Sequence, residues 1–91
     1  PVVVAADGVV LSAAYHPEYG NLIEVDHGEG LTSRYAHLSR MDVKAGSLIK
    51  RGAPIGAVGD TGRSTGPHLH FEVVRNGVSV NPMRYLQQAG K

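Results

Sequence analysis

Pro67-His68-Leu69-His70-Phe71-Glu72-Val73-Val74-Arg75, then Asn76-Gly77, then Val78-Ser79-Val80, is the stretch on which the reading of the fold turns. Its alternating polar and apolar positions, rich in β-branched and aromatic residues, predict a strand over residues 67–75. Asn-Gly is the preferred pair for a two-residue hairpin turn, so residues 78–80 should return alongside it. Side chains alternate faces on a strand, which sends Leu69, Phe71 and Val73 toward a core and His68, His70 and Glu72 to the other side. At a rise of about 3.3 Å per residue, the two imidazoles stand about 7 Å apart on one face. Such a pair can converge on one metal or on a water bound to it. The same spacing also suits two surface histidines flanking a half-buried strand, and His-x-His alone does not separate the two.

Outward from this hairpin the chain keeps the same grammar of short apolar runs punctuated by Gly, Pro, Asn and Asp. Residues 2–6 read as a strand, Asp7-Gly8 as a tight turn, and residues 9–14 as the returning strand. Residues 21–26 and 31–38 are two further strands joined by a turn at His27-Gly28-Glu29-Gly30. Glycines at 46, 52, 56, 59, 62 and 66 exclude a long helix there and predict brief strands and turns. Residues 60–66 form a loop leading into the His-x-His strand. Only residues 82–88 look helical, and briefly. The expectation is a single all-β domain over residues 1–91.

Composition narrows the function. Ninety-one residues allow one small core, not two. Nine Lys and Arg against eight Asp and Glu give +1, too balanced for a dedicated nucleic-acid binder. The charge is nevertheless segregated: residues 1–33 carry −5 and residues 34–91 carry +6, as either a solvated surface or a polyanionic partner would explain. Without Cys there is no disulfide framework, thiolate zinc site or Cys nucleophile. The longest apolar run, residues 2–6, is far short of the roughly 20 residues of a membrane span, so stable insertion by this segment is not expected.

His37, in Arg34-Tyr35-Ala36-His37-Leu38-Ser39, is the third imidazole of interest. If its strand neighbours the His-x-His strand, three imidazoles share one floor. His27 reads as a turn residue and His16, beside Pro17, as an exposed loop residue. Gly62-Arg63-Ser64-Thr65-Gly66 spells a G-x-S-x-G nucleophile elbow, but Pro67 and a strand follow where that motif needs a helix. There is no G-x-x-x-x-G-K-[ST] and no H-E-x-x-H, so a P-loop and a helix-borne zincin site are absent.

Several blocks together go further. Ala5-Ala6-Asp7-Gly8-Val9-Val10, Tyr19-Gly20-Asn21, Asp26-His27-Gly28, Tyr35-Ala36-His37-Leu38-Ser39, residues 59–73 and Asn81-Pro82 occur in the order found in the lysostaphin/LytM-type zinc endopeptidases, which this chain resembles over nearly its whole length. The resemblance implies an open antiparallel β architecture of barrel-sandwich type with a groove, and cleavage of peptide bonds in the cross-links or stems of bacterial peptidoglycan. It implies zinc as cofactor, with His70 as a metal ligand. It further implies that His37 and His68 orient or deprotonate the attacking water and stabilise the developing oxyanion. A peptidoglycan-cutting role places the protein in the cell envelope, periplasmic or extracellular.

The family also uses a His and an Asp from an upstream His-x-x-x-Asp element, which does not occur in these 91 residues. Catalytic zinc sites use about three protein ligands. The chain by itself is therefore expected to be metal-poor and inactive, with two further ligands from an upstream segment or a second chain. A second reading is a non-catalytic LytM-like domain that binds and regulates other wall hydrolases. A third, a lipoyl- or biotinyl-type carrier, needs a modifiable Lys at a hairpin tip, and Lys44, Lys50 and Lys91 occupy no such setting.

Overall fold

A computed structural model describes residues 1–62, 66 and 69–80. Eight strands follow in chain order: β1 (Val2–Val3), β2 (Gly8–His16), β3 (Gly20–Gly28), β4 (Leu31–Met41), β5 (Leu48–Ile49), β6 (Pro54–Val58), β7 (His70–Arg75) and β8 (Val78–Val80). All pairings are antiparallel, and the path across the sheet runs β1-β6-β4-β3-β2-β5, with β7 and β8 branching from β4. The expected all-β, curled antiparallel architecture is what forms. No helix among the described residues is long and apolar enough to cross a membrane. The helical turn expected at residues 82–88 lies outside the described residues.

The hinge of the architecture is β4. On one edge it pairs with β3 from Leu31 to Leu38. Its other edge is shared: residues 31–36 pair with β7, and Leu38, Arg40 and Met41 pair with β6. The ladder therefore forks at His37. Alternation also breaks there, because Tyr35 and Leu38, three apart, both enter the core at 1% and 0% exposure. Strict alternation would bury residues 35 and 37. The register shift between Asn21 and Ile23 on β3 absorbs the extra residue as a bulge, and His37 takes φ 60. The bulge puts Leu38 in the core and leaves His37 for the other side.

Ile23, Val25, Tyr35, Leu38, Ile55 and Val10 form the centre of the core, with the Phe71 ring tilted against that of Tyr35 at a centroid separation of 5.2 Å. Val73 is buried as expected, but Leu69, expected inside, is 39% exposed. Leu69 precedes the first paired residue of β7, so no neighbouring strand covers it. The Asn76-Gly77 turn forms as expected, with φ 50 and 83, between β7 and β8.

The hairpin expected at Asp7-Gly8 does not form. β1 pairs with β6, and β2 lies between β3 and β5. The connecting segment is held open by longer-range partners. The Ala5 N–H donates to the Tyr35 hydroxyl (3.0 Å), and the Asp7 carboxylate accepts from the Arg51 N–H (2.7 Å). The Asp7 carbonyl accepts from His27 Nδ1 (2.7 Å). His27 is thus the penultimate residue of β3 and not part of the turn, which is tightest at Gly28-Glu29-Gly30. Its Nε2 lies 2.7 Å from Ser33 Oγ, so the ring clamps β1–β2 to β4.

Candidate functional site

Directly opposed residues share a face, so the register of the sheet defines a surface opposite the core. Ala36 faces His70, and Arg34 faces Glu72 on β7 and Glu24 on β3. Glu24 in turn faces Ser12 on β2. His37, brought to this side by the bulge, completes the group.

The His37 and His70 rings meet edge to face with centroids 5.8 Å apart. His37 is 6% exposed. Its backbone N–H donates to the Tyr19 carbonyl (2.7 Å), and its Nδ1 lies 2.6 Å from the Thr61 carbonyl oxygen. A carbonyl only accepts, so Nδ1 carries a hydrogen and donates it to Thr61. Thr61 is itself fastened to the fork: its hydroxyl donates to the Leu38 carbonyl (2.6 Å) and accepts from the Asn21 N–H (3.1 Å). Asn21 Nδ2 donates to the same carbonyl (2.9 Å). Thr61, ahead of the His-x-His strand in the chain, therefore borders the site.

His70 is less enclosed. Its Nε2 lies 2.5 Å from Glu72 Oε2, and the Tyr19 ring stands 5.7 Å from its own. The Tyr19 hydroxyl donates to Glu72 Oε2 (3.3 Å), and Arg34 Nη1 donates to Glu72 Oε1 (3.4 Å). Arg34 Nε also donates to Glu24 Oε2 (2.8 Å), whose other oxygen accepts from Ser12 Oγ (3.0 Å). A polar row thus crosses β2, β3, β4 and β7. Burial acts to raise the Glu72 pKa, but its hydrogen bonds to His70 and Arg34 and the Arg34 charge outweigh it and hold the carboxyl below its ordinary value. Desolvation acts to lower the Arg34 pKa, and its two carboxylate partners reverse that.

Of the three imidazoles expected to gather, His37 and His70 do so, and His68 lies outside the described residues. His16 is exposed at the end of β2 rather than in a loop, where its Nδ1 accepts from the Glu18 and Tyr19 N–H groups. Tyr19, Arg34 and Thr61 were not singled out from the sequence. Arg34 was the most legible of them, a charge within a stretch read as a strand.

The donor set suits zinc in part. Imidazole nitrogen is an ordinary zinc ligand at about 2.0–2.1 Å. Among the described residues no group of three or more His, Cys, Asp or Glu stands ready to hold a metal. His70 offers a donor of the right kind, short of the about three protein ligands a catalytic zinc site uses.

This chain resembles known proteins along most of its length. It is 46% identical over 84 residues to the peptidoglycan DD-endopeptidase ShyA of Vibrio cholerae, an alignment covering 92% of this chain and 20% of that protein. A crystal structure of a zinc-containing peptidase from Vibrio cholerae superposes with a TM-score of 0.83 at 45% identity, over 86% of this chain and 24% of the other. The catalytic domain of lysostaphin from Staphylococcus simulans superposes at 0.88 with 36% identity, over 96% of this chain and 70% of that one. The chain spans about a fifth of the length of the curated relatives it matches. The sequence profile of peptidase family M23 matches residues 1–82, and the chain belongs to that family.

Proposed function

We propose that this domain is the catalytic part of a zinc-dependent endopeptidase that hydrolyses peptide bonds in the cross-links or stems of bacterial peptidoglycan. The observation that carries the reading is the meeting of His37 and His70 at the fork of β4, each ring tied through one nitrogen to a fixed acceptor. The relatives named as peptidoglycan endopeptidases and as a zinc-containing peptidase supply the substrate class and the metal.

In this reading His70 is a zinc ligand, with further ligands from outside these 91 residues. The bound ion supplies the Lewis acidity that polarises a scissile carbonyl and acidifies water. His37, its ring fixed through Nδ1 by Thr61, receives a proton from the attacking water and later returns it to the leaving amine. His68 shares that task and steadies the charge developing on the carbonyl oxygen. One water is consumed, and the C–N bond is exchanged for a carboxylate and an amine. Action on peptidoglycan places the protein outside the cytoplasmic membrane, in the periplasm or beyond.

The test is digestion of purified cross-linked peptidoglycan by the full-length protein, with zinc content measured in parallel. His37→Ala and His68→Ala should keep zinc and lose turnover, whereas His70→Ala should lose both. Retention of full zinc occupancy by His70→Ala would refute the ligand assignment. A zinc-loaded wild-type protein that cleaves nothing would point instead to a regulatory LytM-like domain.

A further inference from the structure

We infer that Glu72, braced by Arg34, is a positioning residue that fixes the ring orientation and tautomer of His70 for metal binding. This rests on the reading of His70 as a zinc ligand.

The argument begins with the two nitrogens of one ring. Nε2 of His70 faces Glu72 Oε2, and a carboxylate oxygen only accepts, so Nε2 bears the hydrogen. The lone pair of the neutral ring then lies on Nδ1, the nitrogen left for a metal. Metal-binding histidines commonly donate their other N–H to a carboxylate, which raises ligand basicity and fixes the ring.

Glu72 is well placed for this because it is itself immobilised. It sits two residues along the same strand and face as His70, with both oxygens engaged. Oε2 also accepts from Tyr19, whose ring stands beside His70, and Oε1 accepts from Arg34. Arg34 is held on its far side by Glu24, and Glu24 by Ser12. The row has two carboxylates about one guanidinium, so the charge of Glu72 is shared with a group that cannot lose its proton. Four strands thus contribute to holding one carboxylate oxygen against one imidazole nitrogen. A surface ion pair with no such duty needs neither the directly opposed placement of Glu24, Arg34 and Glu72 nor the contact to His70.

The experiment compares Glu72→Ala, Glu72→Gln and His70→Ala in the full-length protein, with zinc affinity from competition against a chelating indicator and imidazole tautomers from long-range 1H–15N spectra of the metal-free protein. In the wild type, His70 should show the Nε2–H tautomer. Glu72→Ala should mix the two tautomers and weaken zinc binding about 10- to 100-fold. Glu72→Gln keeps an acceptor oxygen at the same place and should lose less; it carries the test if the alanine variant does not fold. Zinc loss in His70→Ala together with unchanged tautomer and affinity in the Glu72 variants would overturn this inference alone. Unchanged zinc affinity in His70→Ala would instead remove the ligand assignment on which it rests.

Discussion

Replacing Gly20 by alanine tests whether the fork of β4 is held by backbone contact as tight as the structure shows. Gly20 has φ 69, and a Cβ built there overlaps the carbonyl group and hydroxyl of Thr61. Thr61 is the residue whose carbonyl receives the His37 Nδ1 hydrogen. Gly28 is the control, with φ 90 and nothing within 4 Å of its added Cβ. The left-handed backbone costs an L-residue about 1–2 kcal/mol, and lost unfolded-state entropy returns about 0.4–1 kcal/mol. Gly28→Ala should therefore destabilise by about 0.5–1.5 kcal/mol. Gly20→Ala carries the same penalty plus about 1–3 kcal/mol for forcing a methyl group into packed atoms, for a total of about 2–4 kcal/mol. Urea denaturation of the two variants reads the difference directly. Peptidoglycan digestion by the full-length protein adds a second reading, since a misplacement of about 1 Å near the chemistry can cost about 100-fold. Gly20→Ala should lose at least tenfold in turnover and Gly28→Ala less than twofold. Equal stability losses within about 0.5 kcal/mol, or equal turnover, would refute the account of Thr61 as the wedge behind His37.

Other perturbations reach the same framework from different sides. Thr61→Val removes one acceptor from the Asn21 N–H and one donor from the Leu38 carbonyl, and should cost about 1–3 kcal/mol in chemical denaturation. Leu38→Ala leaves a hole at a fully buried position and should cost about 2–5 kcal/mol, measured the same way. Tyr35→Phe deprives the Ala5 N–H of its acceptor and should cost about 1–2 kcal/mol at neutral pH. Burial raises the Tyr35 pKa above its ordinary value of 10.0, so the folded state holds the phenol proton more tightly than the unfolded state. Its contribution is intact below pH 10 and is lost as pH rises through the folded value. Alkaline denaturation should accordingly be less steep above pH 10 in Tyr35→Phe, and an unchanged slope would contradict the assignment.

Much of this architecture was legible because strand alternation and turn chemistry are local. Asn76-Gly77 needs nothing beyond its own backbone preference to close β7 onto β8, and Phe71 and Val73 declare their face by period alone. The Asp7-Gly8 turn misled because its dihedral preference competes with partners that sequence does not place nearby: Arg51, Tyr35 and His27 each hold the segment open. His37 was recognisable as an imidazole of interest, yet its direction was not, since a strictly alternating strand would have turned it into the core beside Tyr35. The information sits in Leu38, an apolar residue at the wrong parity, and it becomes readable only once the bulge opposite Leu22 is known. Tyr19 and Thr61 act through backbone carbonyls as well as side chains, and a carbonyl leaves no mark on residue identity.

The shared edge of β4 has a consequence for how such a domain can vary. β6 and β7 lie end to end along that edge, each with its own register and its own stretch of β4. A change in the register of one wing need not shift the other, while Thr61, between them in the chain, ties the junction to Leu38 and His37. Within one scaffold, then, the two wings can vary separately while the junction beneath the imidazoles is inherited intact.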